Sequence, residues 1–169
     1  MLNENGFSLT ELLIVIAITL IIATIAVPNL LRAKIAANES SAVHSVREIM
    51  SAEHLYSSTY PQVGYATDLK SLGGPGGACS PSPITACILD STVSSGNKSG
   101  YLLFAAGFSL VGTINTQFVA SSAPAVFNRT GKRAFCVAPA DGSIRARLGV
   151  PGGVPAPDVA TCLGYPLLN

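Results

Sequence analysis

Charge is what this chain has least of. Asp, Glu, Lys and Arg together make up 11% of its 169 residues, against about 25% in an ordinary soluble protein. Ten Lys and Arg against nine Asp and Glu leave a formal net charge of +1, so no bulk field draws the chain toward nucleic acid or an anionic surface. A partner of that kind needs a local patch. Basic residues are also missing from the start, Met1-Leu2-Asn3-Glu4-Asn5-Gly6, and Pro28-Asn29-Leu30-Leu31-Arg32 stands where a small-residue cleavage site is expected. A cleaved secretory signal of the ordinary kind wants both. No close Cys-x-x-Cys pair is present for a zinc site,.

Catalytic constellations are lacking too. Gly107-Phe108-Ser109-Leu110-Val111-Gly112 misses the nucleophile-elbow spacing by one residue and reads as a turn in the core,. Gly131-Lys132 lacks the upstream glycine of a phosphate loop and is followed by Arg133,. His44 and His54 lie ten residues apart, about 80° from each other around a helix, and so read as solvated side chains, not a metal pair. No enzyme, cofactor or metal site is expected.

What is present is apolar: 49% of the residues are hydrophobic, the mean hydropathy is +0.47, and disorder is excluded. Much of this sits in Leu12 to Val27, which carries no charge. At about 1.5 Å per residue, a helix from Phe7 to Val27 spans about 30 Å, enough for a bilayer core. Glu11 lies inside this segment, where an ionised carboxylate needs a partner. A plain anchor gives no reason for it.

Gly6-Phe7-Ser8-Leu9-Thr10-Glu11-Leu12-Leu13-Ile14-Val15-Ile16-Ala17-Ile18 resembles the N-terminus of type IV pilins and of their relatives, the type II secretion pseudopilins. The resemblance implies a leader, residues 1–6, cut after Gly6 by a prepilin peptidase, and N-methylation of the new terminus, Phe7. Ala26-Val27-Pro28-Asn29-Leu30 resembles the helix-kink region of the family. This leader departs from the family in carrying Glu4 where Lys or Arg is usual, which leaves room for a start codon upstream of Met1. Family pseudopilins often carry an acidic calcium loop, whereas Asp141 and Asp158 are isolated here.

Physical chemistry gives the motif a purpose. Cleavage would place a positive amine on Phe7 and a negative Glu11 one turn later. In a bundle of copies offset along an axis, Glu11 of one can pair with the amine of the next and set the register, as buried polar groups do in coiled coils. On a single helix the first turn also tolerates the carboxylate. Pro28 removes a backbone hydrogen bond and crowds the preceding turn, so it either kinks a continuous helix or ends one where the membrane ends. Thr19 and Thr24 add side chains able to bond back to helix carbonyls.

Beyond Pro28, Ile35, Val43, Val46 and Met50 recur at helical spacing among Lys34, Asn38, Glu39, Ser41, Arg47 and Glu48, predicting an amphipathic helix over 29–57 with those polar residues toward water. From residue 58 to 169 Gly and Pro divide the chain into short pieces. Thr67 to Leu72 reads as a capped helical turn. Residues 101–104, 116–120, 125–127, 133–137 and 143–145 read as strands, with Asp141-Gly142 as a hairpin signal. The expected class is α+β: a long N-terminal helix, its apolar half followed by an amphipathic half packed on a small antiparallel sheet.

Cys79, Cys87, Cys136 and Cys162 all fall in this head. Export to an oxidising compartment favours disulfides, and four cysteines allow three connectivities. Local closure favours Cys79 with Cys87 and Cys136 with Cys162, the latter tying a Pro-rich tail back to a strand. Arg129, Lys132, Arg133, Arg145 and Arg147 are half of the basic residues. On a hairpin they would share a face suited to DNA, an anionic surface or an acidic neighbour, or else simply guard a solvated edge.

The expected protein is a structural subunit of a type IV pilus-like filament. By resemblance its partners are copies of itself, the prepilin peptidase, the inner-membrane pilus assembly machinery and, before assembly, the cytoplasmic membrane. Attachment, surface motility, DNA uptake or secretion are the implied uses. A secretion pseudopilin and a membrane-anchored binding domain that never polymerises are the competing readings.

Overall fold

A computed structural model describes residues 6–74, 79–109 and 112–168. Met1 to Asn5 of the expected leader, and Leu110 and Val111, lie outside the described residues. The chain divides into two compact units, Met1–Lys34 and Ile35–Asn169. Helix α1, Leu9–Thr59, contributes to both.

In the first unit every described side chain is exposed. The helix persists through Pro28, and the hydroxyls of Thr19 and Thr24 donate to the carbonyls of Ile16 and Ile21 at 2.9 and 2.7 Å. Apolar composition and backbone self-satisfaction together make this a helix able to cross a membrane, with a mean hydropathy of 2.6 in its most apolar window,.

The second unit is built on the remainder of α1. Ala42, Val46, Ile49, Ala52 and Tyr56 are buried at steps of three and four, the stripe a helix presents to one partner,. That stripe meets a five-stranded antiparallel sheet in the order β1-β2-β3-β4-β5. Its strands are β1 Asn97–Lys98, β2 Tyr101–Phe108, β3 Gln117–Pro124, β4 Arg133–Val137 and β5 Arg145–Leu148. Three short helices complete the unit: α2 Leu69–Leu72, α3 Ser91–Ser94 and α4 Val159–Leu163. Each begins at an aspartate, Asp68, Asp90 or Asp158, whose carboxylate accepts a backbone N–H of the first turn,.

Strand alternation sorts the sheet into two faces. Tyr101, Leu103, Phe118, Phe135 and Val137 join the α1 stripe in one apolar cluster. Val119, Ala123, Ala134 and Cys136 join Ala156, Cys162 and Tyr165 of the C-terminal tail in a second. Central strand β3 is therefore covered on both sides, and all its residues after Gln117 are buried.

Several expectations need correction. Residues 125–127 form no strand: β3 ends at Pro124, and Asn128, at φ +62°, turns the chain back with Thr130 Oγ1 accepting the Val126 N–H at 3.1 Å. β2 continues to Phe108, so Gly107 lies in a strand and not in a turn. β5 starts at Arg145 and not at Ser143, and the register Cys136↔Arg145 makes the connection through Asp141-Gly142 a longer loop. Glu39, expected on the polar face, is 8% exposed, and Glu53 is 0% exposed.

Candidate functional site

Glu11 is the single charge between Gly6 and Leu31, and the structure places it at the start of α1. The Ser8 N–H donates to Glu11 Oε2 at 2.8 Å, and the Leu12 N–H donates to the Ser8 carbonyl at 3.2 Å. Ser8 is thus the N-cap residue and Glu11 the third helical one, the reciprocal half of a capping box. Phe7, immediately before, is 83% exposed. An N–H bond of this kind is local and exposed, so the carboxylate stays within reach of any second positive group brought to the helix start. Along the helix from there, Leu12 to Leu31 present exposed apolar side chains on every side, a surface far beyond the isolated patches monomeric proteins leave in water.

The four cysteines form Cys79–Cys87 and Cys136–Cys162. The first closes a loop whose turn is held by reciprocal Ser82 and Thr85 backbone bonds, both 3.0 Å, and by Tyr56 Oη donating to the Pro83 carbonyl at 2.6 Å. The second fixes α4 beneath β4.

The five basic residues do not assemble on one face. Arg133 reaches toward α1, where Glu39 Oε2 accepts its Nε at 2.9 Å and pairs with its second nitrogen at 2.9 Å. Glu39 Oε1 accepts the backbone N–H groups of Lys132 and Arg133 at 2.9 and 3.2 Å. Arg145 and Arg147 pair across from Cys136 and Ala134, on the opposite face. There Arg145 bonds Asp141 at 2.6 Å and the Tyr165 carbonyl at 3.2 Å, while Arg147 stacks over the Tyr165 ring at 4.4 Å,. The Ser143 N–H and then Arg145 hold the Asp141 carboxyl below the usual carboxylate range. Arg129 and Lys132 are exposed. His44 and His54 are exposed as well, with His54 edge-on to Tyr65 and Phe118.

Two buried carboxylates escaped the sequence reading. Glu39 clamps α1 to the start of β4, and Glu53 accepts the Ala66 N–H at 2.9 Å inside the core. Burial pushes the Glu53 carboxyl up to about 8. Glu39 and Glu53 both fall on the three-and-four stripe with Ala42, Val46, Ile49 and Tyr56. That periodicity was the available signal. Among the described residues no cluster of His, Cys, Asp or Glu could hold a metal.

An apolar helix opened by a single carboxylate and followed by a disulfide-tied α+β head defines a class: the helix-anchored subunits of prepilin type. Residues 1–27 match the family described as the prokaryotic N-terminal methylation motif. The chain is also 32% identical over 111 residues to the type IV wide pilus major component PilA4 of Thermus thermophilus, covering 63% of this chain and 83% of that protein. It belongs to the type IV pilin family. Its role is that of a structural subunit of the pilus or pseudopilus kind, and membership implies homopolymeric filament assembly and processing by a prepilin peptidase. No solved structure matches the chain.

Proposed function

We propose that this protein is the subunit of an extracellular type IV pilus used for attachment, surface motility or DNA uptake. The observation that carries the proposal is the α1 segment from Leu9 to Leu31, exposed throughout and holding one charge, Glu11. Such a surface is compatible with lipid or with other copies of itself, and its one polar group sits where it sets an axial register. Likeness to a major pilus component supports a pilus over a secretion pseudopilus. In this reading residues 1–6 are a leader removed after Gly6, Phe7 carries the N-methyl group, and residues 7–28 form the membrane helix and later the fibre core. Residues 29–57 are its amphipathic continuation and 58–169 the head. Pro28 is the point at which the helix bends or yields under load. The subunit waits in the cytoplasmic membrane with its head outside, and the inner-membrane assembly machinery then moves it into the filament.

Glu11→Ala as the only copy tests this. The variant removes the partner of the Phe7 amine while the head, which does not contain Glu11, keeps its core. Normal accumulation in the membrane, normal thermal unfolding and few or no fibres are expected. Fibres at wild-type yield overturn the register argument and favour an anchor that does not polymerise.

A further inference from the structure

We propose that Glu53 is a proton-binding latch, protonated in the folded head at neutral pH and opening the segment Val63–Ala66 when it ionises in alkaline medium. Its place in the core carries the inference. Glu53 is 0% exposed. Oε2 accepts the Ala66 N–H at 2.9 Å, and the buried Oε1 has no hydrogen-bond partner.

The surroundings supply no compensating cation. Asp68, at the start of α2, opposes a negative charge on Glu53, and so does Glu53 toward the Tyr56 phenol beside it, with Tyr60 next to that. His54, the following residue, is exposed and rests against Tyr65 and Phe118. Lys70 of α2 is exposed. A carboxylate without a cation in a dry site is disfavoured against its neutral form, so the proton stays until the medium is alkaline enough to take it. Burial raises this carboxyl's titration accordingly.

The segment bonded to Glu53 is the part able to respond. Val63 and Tyr65 are half-buried, and Gly64 and Ala66 are buried. The Tyr65 N–H donates to the Asn115 carbonyl at 3.0 Å and the Asn115 N–H to the Val63 carbonyl at 2.9 Å. Asn115 Nδ2 donates to the Tyr65 carbonyl at 2.9 Å. Gly64, at φ +81°, allows the close approach to Asn115,. When the proton leaves to solvent, the charge on Glu53 must be hydrated. Lifting residues 63–66 off α1 is the short route for water. The latch belongs to the head alone and stands whether or not the chain forms a pilus.

Amide hydrogen exchange of the full-length chain in detergent micelles tests it, with protection factors corrected for base catalysis from pH 6 to pH 10. In the wild type, protection at Ala66 and Tyr65 falls by up to about tenfold per pH unit as pH rises toward the titration of Glu53 in the closed head and levels off above it, as one proton released on opening requires, while Ile49 in α1 stays better protected than Ala66 throughout. In Glu53→Gln the Ala66 profile is flat. Constant protection in the wild type, or the same fall in Glu53→Gln, overturns the latch. Should the variant not fold, the carboxyl carbon shift of Glu53 in the wild type decides: a step above pH 7 supports the proposal, and a step near pH 4 to 5 refutes it.

Discussion

Two stretches of one helix place their glutamates in opposite settings. Between Leu9 and Leu31 the side chains of α1 are exposed and the one charge, Glu11, caps its own first turn. Between Glu39 and Tyr56 the stripe is buried, and two carboxylates lie within it. Glu39 is matched by an arginine and two backbone donors. Glu53 has one backbone donor and no cation. The difference teaches that the first stretch is finished for a partner outside the chain and the second for a partner within it. Apolar surface left open over some twenty residues belongs against lipid or other copies. Carboxylates inside a core belong to its internal bonding, where each is stable only to the extent that it is matched.

Substitutions that act on one stretch and spare the other sharpen this contrast. The largest stability effect is expected at Ile49→Ala, which opens a cavity between α1 and the sheet and lowers unfolding stability by about 2–5 kcal/mol. The same truncation at Ile16 should leave the thermal unfolding of the head unchanged. A comparable loss at Ile16 would break the contrast. Next comes Cys136→Ser with Cys162→Ser, at about 3.5 kcal/mol from the chain-entropy relation, against about 2.5 kcal/mol for the shorter Cys79–Cys87 loop. Chemical unfolding of the two double variants checks that order.

Glu39→Ala should cost about 1–3 kcal/mol, because it strands two backbone donors as well as Arg133. Glu11→Ala should leave the unfolding midpoint of the head where it was. For Glu53 the sign follows from its raised titration. The folded state holds its proton up to about 8, whereas the unfolded chain releases it near the ordinary glutamate value of 4.5. Its contribution to stability is therefore complete below the unfolded value and is lost as pH rises through the folded one. Glu53→Gln should flatten stability between pH 5 and pH 8, and an unchanged slope would place the titration elsewhere. The smallest measurable loss is expected at Asp158→Ala, which removes the N-cap of α4 at about 1 kcal/mol.

The same contrast explains which features sequence alone made legible. The apolar helix and its motif stand out because a lone carboxylate in an uncharged run is rare. Strand β4 was readable at residues 133–137 because aromatic and β-branched residues alternate with small ones,. β3 was cut short since Ser121, Ser122 and Ala123 have little strand propensity. Burial between two layers holds them, and Ser121 Oγ donates to the Ala156 carbonyl 35 residues away at 2.8 Å. Glu39 looked solvated because its partners, Lys132 and Arg133, lie 93 and 94 positions along the chain. The basic cluster dissolved for a similar reason. Spacing along strands shows that Arg133 and Arg145 exist, and only the register Cys136↔Arg145 shows that they point to opposite faces.

The central claim is that the exposed stretch of α1 is the assembly surface of a processed pilin. Intact-mass analysis of fibres sheared from the cell surface, viewed in parallel by electron microscopy, addresses it most directly. The account predicts fibres made of this chain, beginning at N-methyl-Phe7, lacking Met1 to Gly6 and carrying both disulfides. Fibres free of this chain, or the chain retained in the membrane with its first six residues in place, would contradict it.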